Sequence, residues 1–107
     1  MKFGLVVSTN EGELAWNAFR FRLKAIENKH KVKVFLLGRG VECQEIKGSK
    51  FDVKKMMEDF VHKGGSILTC GTCLETRRKG ATELCPISTM QDLVNVVAES
   101  DKVLTFG

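Results

Sequence analysis

The run KVKVFLLG, residues 31–38, alternates charged and apolar positions at first and is then apolar without a break. A strand that loses its polar face is covered on both sides, and parallel strands flanked by helices achieve this. The rest of the chain carries the same pattern. Lys2–Val7 is a compact apolar strand. Asn10-Glu11-Gly12-Glu13 then supplies a capping-box start for a helix to about Asn28, with Trp16, Phe19, Leu23 and Ile26 on one face. A Gly-rich loop, Arg39–Ser49, follows the second strand. From near Phe51 a second helix repeats Val53, Met56, Met57, Phe60 and Val61 at helical spacing, the methionines as core filler, until Gly64-Gly65 stops it. A third strand, Ser66–Cys70, leads into a short basic helix ending at Gly80 and a loop with the single proline, Pro86. Ser88-Thr89-Met90-Gln91 caps a last helix whose Met90, Leu93, Val94, Val97 and Ala98 form an apolar face, and Lys102–Phe106 closes the chain as a strand. Strands alternating with helices at this spacing imply right-handed crossovers. The expected fold is α/β, a small, mainly parallel sheet flanked by helices on both faces, a flavodoxin-like three-layer arrangement in one domain over residues 1–107.

A chain of 107 residues buries one core but hides no deep cleft between lobes, so function belongs at a surface or a subunit interface. No apolar run is long enough to span a membrane, and MKFGLVVS reads as a first strand without a signal-peptide core, so a cytoplasmic location is the expectation for the chain. Its four cysteines are then expected as reduced thiols rather than a disulfide framework. The net charge of +4 is spread along the sequence, and the absence of Tyr removes a stacking platform, so nucleic acid is not the expected partner. The mild positive field suits small anions.

Parallel sheets of this kind present their working groups outside the carboxyl ends of the strands. Three loops meet there: Ser8-Thr9-Asn10, then Gly38-Arg39-Gly40 with Glu42 and Cys43, and then Cys70-Gly71-Thr72-Cys73. Thr72-Cys73-Leu74-Glu75 matches a capping box, which makes Thr72 the expected N-cap and Cys73 the first helical residue. Amides at a helix start favour a thiolate over a thiol, and Arg77, Arg78 and Lys79 add positive charge. Gly71 lets a ligand approach the backbone.

Spacing alone leaves three chemistries open at this pair: sulfur transfer, thiol–disulfide exchange, or half of a metal site. Cys43 and Cys85 would complete a four-thiolate zinc shell, but they stand singly in separate loops, and His30 and His62 fall away from the crevice end. A thioredoxin-like pair follows an early strand and faces a proline, whereas this pair follows the third strand. STNEGE, residues 8–13, superficially resembles a flavin phosphate loop, yet its two glutamates would repel a phosphate. Glu42 is expected to be solvated, the alternatives being a base or a partner for Arg39.

The strand FGLVVS, the segment VKVFLLGRGVE, the turn ILTCGTCLETRRKG and the ending TMQDLVNVVAESDKVLTFG together resemble the DsrE/DsrF-like family, which includes TusD-type sulfur-relay subunits and YchN-like proteins. The resemblance covers nearly the whole chain. It implies a small parallel α/β fold, assembly into trimers or hexamers, and a sulfur carried as a persulfide on the cysteine that ends the third strand. Cys70 is the carrier by that match. Cys73 departs from the simpler pattern, in which the pair is absent, and would resolve or shield the loaded sulfur. Gly71 and Thr72 would supply backbone donors, Arg77 and Arg78 would hold the anionic sulfur, and Arg39 and Asn10 would line the crevice. The implied partners are sulfur donor and acceptor proteins or small persulfides, with no metal, cofactor, nucleic acid or membrane required.

Overall fold

The computed structural model describes residues 1–48 and 50–107; Ser49, the end of the loop expected at 39–49, lies outside the described residues. Strands β1 (Lys2–Val7), β2 (Lys31–Leu36), β3 (Ser66–Cys70), β4 (Ile87–Ser88) and β5 (Lys102–Phe106) form one sheet in the order β4-β3-β2-β1-β5. Every pairing is parallel. The helices are α1 (Gly12–Glu27), α2 (Val53–His62), α3 (Gly71–Thr76) and α4 (Met90–Glu99). No helix among the described residues is long and apolar enough to cross a membrane.

Side chains alternate across each strand, so the two sheet faces can be told apart by what they touch. Phe3 of β1 meets Phe21 of α1, with ring centroids 6.2 Å apart, so Phe3, Leu5 and Val7 face α1. Gly4 faces the other way, where a Cβ would come within 2.6 Å of Ser100 Oγ and 3.0 Å of Val96. That glycine lets α4 sit close on the sheet. In β2, Val32, Val34, Phe35 and Leu36 are all buried, which is the two-sided cover its apolar run called for.

Several local expectations shift by a residue or more. Thr9 Oγ1 accepts the Glu11 amide at 3.0 Å, turning the chain so that Glu11, not Asn10, caps α1 by accepting the Leu14 amide at 2.7 Å. Asp52 caps α2 in the same way, through the Lys55 amide at 3.1 Å. The expected loop after β2 is instead a 3-10 helix over Gly38–Glu45. It is pinned to β1 at Gly40, where a Cβ would overlap the Val7 carbonyl. β4 is an element that sequence patterning missed, since two residues carry no periodicity.

The buried stripe of α1 is Ala15, Ala18, Phe19, Arg22 and Ala25, with Trp16, Leu23 and Ile26 only partly covered. Its alanines allow close packing. Arg22 is fully buried, its guanidinium 3.9 Å over the Phe19 ring and 5.8 Å from that of Phe60. Its Nε, Nη1 and Nη2 have no hydrogen-bond partner among the described residues, and burial holds its pKa well below the usual guanidinium range. On α4 the capping box forms one residue later than the Ser88–Gln91 pattern predicts, Thr89 with Asp92, because Ser88 belongs to β4. Most of the expected core face of α4, however, points outward: Val96 is buried, while Met90, Val94 and Val97 are 58%, 54% and 47% exposed. The helix docks through Val96 and Ser100 on Gly4, which turns the longer apolar stripe to the surface.

Candidate functional site

β2 and β3 run in parallel with Leu36 beside Thr69, so the residues just after them, Gly38 and Cys70, emerge at the same end of the sheet. Cys70 pairs with Ser88 of β4 and then turns directly into α3. Its own Sγ accepts the Cys73 amide at 3.4 Å, making Cys70 the N-cap. The helix therefore starts at Gly71, earlier than the Thr72 cap expected from the Thr-x-x-Glu pattern. The strand-end sulfur reaches the amide first and leaves the Thr72 side chain exposed. The Thr72 carbonyl accepts the Thr76 hydroxyl at 2.9 Å instead.

This placement puts both cysteines on one turn. Cys73 is the third helical residue, one turn from the cap, with its amide on Cys70 Sγ, so the two side chains leave the same turn of α3. The Gly38 amide, from a residue in the left-handed region at φ 55°, donates to Cys73 Sγ at 3.2 Å. Cys70 is 5% exposed, whereas Cys73 is half-buried. Burial pushes the Cys70 thiol pKa up, the Cys73 thiol adds to the rise, and the amides of Cys73 and Thr72 partly offset it.

A polar chain ties the three loops together behind the pair. Arg77 Nη1 donates to the Cys73 carbonyl at 3.2 Å, and Arg77 Nε lies 3.5 Å from Glu42 Oε1. The same carboxylate oxygen accepts from Asn10 Nδ2 at 3.4 Å. Glu42 is thus neither a solvated loop residue nor the partner of Arg39; it links Asn10 to Arg77. Arg77 is held by this network and braces the start of α3. Arg39 stands exposed on the 38–45 turn. Arg78 is also exposed, in the left-handed region at φ 53°, on a separate groove of about 370 Å³ that includes Gln44, Lys79, Thr82 and Cys85. A cavity of about 190 Å³, lined by Lys2, Phe3, Lys31, Lys33, Val96, Glu99 and Ser100, lies at the amino ends of the strands, remote from the sulfurs.

Cys43 and Cys85 belong elsewhere. Thr69 and Cys70 are adjacent in β3 and project to opposite faces, and the Thr69 hydroxyl has no hydrogen-bond partner among the described residues. Cys85 lines the groove of Arg78 and Thr82, its amide donating to Thr82 Oγ1 at 3.0 Å. Cys43 Sγ donates to the Thr9 carbonyl at 3.2 Å. Burial pushes the thiol pKa values of Cys43 and Cys85 up to about 12 and about 11. Among the described residues no group of three or more His, Cys, Asp or Glu side chains is arranged to hold a metal ion.

Sequence reasoning brought Cys70, Gly71, Thr72, Cys73, Arg77 and Asn10 to one place and missed the Gly38 amide. The only signal for that donor was a glycine following an apolar strand. Which sulfur its N–H meets depends on the β2–β3 register.

Two archaeal proteins, each described only as uncharacterized, are similar to this chain. One, from Methanopyrus kandleri, is 35% identical over 101 residues, covering 88% of this chain and 83% of its own length. The other, from Methanocaldococcus jannaschii, is 31% identical over 114 residues, covering 99% of this chain and all of its own length. With a family match that runs from residue 1 to residue 106 and so takes in all five strands and the paired sulfurs, the chain belongs to the DsrE/DsrF-like family.

Proposed function

We propose that this chain is a sulfur carrier that accepts sulfane sulfur on its cysteine pair and passes it on. Membership of the DsrE/DsrF-like family supports a function of the sulfur-relay type at the level of the family. The observation that carries the reading for this chain is the pair of cysteines on one helical turn at the carboxyl end of the sheet, with the Cys73 amide 3.4 Å from Cys70 Sγ and the Gly38 amide 3.2 Å from Cys73 Sγ. Access supports a division of roles within the pair. Cys73 is the half-exposed sulfur and Cys70 the enclosed one, so arrival of sulfur at Cys73 fits the geometry better than arrival at the strand-end Cys70. In the loading step Cys73 sulfur attacks the outer sulfur of a donor persulfide. The donor leaves as a thiol, and Cys73 gains one sulfur as a persulfide, an exchange without net redox change. The Gly38 amide donates to the charged sulfur, and the Asn10–Glu42–Arg77 chain keeps the loops in place around it.

Self-association forms part of this reading. Ile87 of β4, the strand that pairs with Cys70, is 59% exposed, and Met90, Val94 and Val97 of α4 are exposed as well. An apolar surface of this kind suits a second copy of the chain more than water. The reading also places the chain in the cytoplasm, where its thiols remain reduced. Intact-mass measurement after treatment with a small persulfide tests the carrier role. Cys70→Ser should gain one sulfur mass and Cys73→Ser should not. Loading that survives in Cys73→Ser but requires Cys43 or Cys85 would refute it.

A further inference from the structure

We infer that the pair discharges its own sulfur: Cys70 attacks the loaded Cys73 and expels hydrogen sulfide, leaving a Cys70–Cys73 disulfide. The inference rests on the carrier reading and adds a product and a regulation to it. A nucleophile enclosed to 5% exposure has little contact with outside acceptors, and its sulfur already lies 3.4 Å from the Cys73 amide, on the same turn as the Cys73 side chain. The electrophile within its reach is the atom loaded on its neighbour.

The geometry permits the bond. Cys70 is the N-cap and Cys73 the third residue of α3. Residues so spaced along a helix have Cα atoms roughly 5 Å apart. That lies within the span of about 4.4–6.8 Å that a disulfide bridges. The backbone of α3 therefore need not unwind for the sulfurs to join.

Atoms and electrons balance without an outside oxidant. Cys70 sulfur attacks the inner sulfur of the Cys73 persulfide; the persulfide S–S bond breaks as the Cys70–Cys73 bond forms. The outer sulfur takes the bonding pair and is reduced from sulfane to sulfide, while the two cysteine sulfurs are oxidised to a disulfide. The proton of the Cys70 thiol, retained because burial disfavours the charged form, ends on the departing sulfide. Return to the dithiol requires a dithiol reductant, which leaves as its own disulfide. An acceptor that reaches Cys73 before Cys70 attacks receives the sulfur; otherwise the protein vents it and closes to further loading.

The test follows loading of the full chain with a small persulfide by intact mass and by sulfide release. Wild type is expected to pass through a form one sulfur heavier to one two hydrogens lighter than the dithiol, with one sulfide per disulfide. Added dithiol should restore it. Cys70→Ser keeps an oxygen at the N-cap, a favoured residue there, so its fold is retained. It should load, release no sulfide, and hold the added sulfur at least about tenfold longer, since intramolecular attack is lost. Cys70→Ala should behave alike. A wild-type persulfide as long-lived as that of Cys70→Ser, with no disulfide, overturns the self-discharge and leaves the carrier reading standing. Absence of both the heavier and the lighter form in every variant overturns the carrier reading and the inference together.

Discussion

Replacing Arg22 by Met should make this protein more stable. Arg22 is fully enclosed, and none of its three guanidinium nitrogens has a hydrogen-bond partner among the described residues. Leaving a buried polar group unpaired costs about 1–3 kcal/mol, more when it is charged. The attraction of the cation to Phe19, at 3.9 Å, and to Phe60, at 5.8 Å, offsets about 2 kcal/mol of this. Methionine keeps a long apolar stem against both rings and removes the donors. Exchanging buried charged groups for hydrophobic ones of similar volume is often stabilising by about 1–4 kcal/mol. For a chain of this size each kcal/mol raises Tm by roughly 4 °C or more. Thermal and urea unfolding of Arg22→Met should therefore show a Tm higher by at least about 4 °C, with an unchanged m-value. Arg22→Ala, which also deletes the stem, should fall below Arg22→Met by about 2–3 kcal/mol through the cavity it leaves. A loss of stability in Arg22→Met would show that the guanidinium is satisfied in solution and would refute the reasoning.

Three further outcomes follow from the structure. Burial raises the Cys43 and Cys85 pKa values from 9.0 to about 12 and about 11, so the unfolded chain releases these protons first as pH rises. Their contribution is whole below about pH 9 and is lost above it at roughly 1.4 kcal/mol per pH unit for each thiol, ceasing beyond the folded values. Urea titrations at pH 8 and pH 10 should show this loss in wild type and a smaller one in the Cys43→Ser/Cys85→Ser double variant, which should still load sulfur. Gly40→Ala should cost about 1–3 kcal/mol or more in unfolding experiments, because its Cβ meets the Val7 carbonyl and the backbone must shift. Loading by persulfide should slow in that variant as the adjacent Gly38 amide moves. Val94→Glu, at a position 54% exposed on α4, should lower the sedimentation coefficient of a self-associated form without lowering Tm of the monomer; identical sedimentation of the two would remove this face as the contact.

The sequence alone determined the order of the four longer strands and the helices between them, though not β4 or the 3-10 helix over 38–45, because burial leaves a periodic trace: continuous apolarity in Val34–Leu37, helical spacing in Val53–Phe60, and glycines at 64 and 65 where the helix must stop. It also determined that Cys70 and Cys73 sit at the carboxyl end of a parallel sheet, since topology follows from strand–helix alternation. Tertiary structure decided what each sulfur meets. Whether Cys70 or Thr72 caps α3 depends on how sharply the chain leaves β3, and the Gly38 contact depends on the register of two strands far apart in sequence. The same holds for Arg22, a charged residue at a core position, and for α4, whose apolar stripe gave no sign of facing outward. Periodicity records that a face is apolar. Only packing decides which neighbour covers it, and here close approach at Gly4 claimed Val96 and left Met90, Val94 and Val97 to the surface.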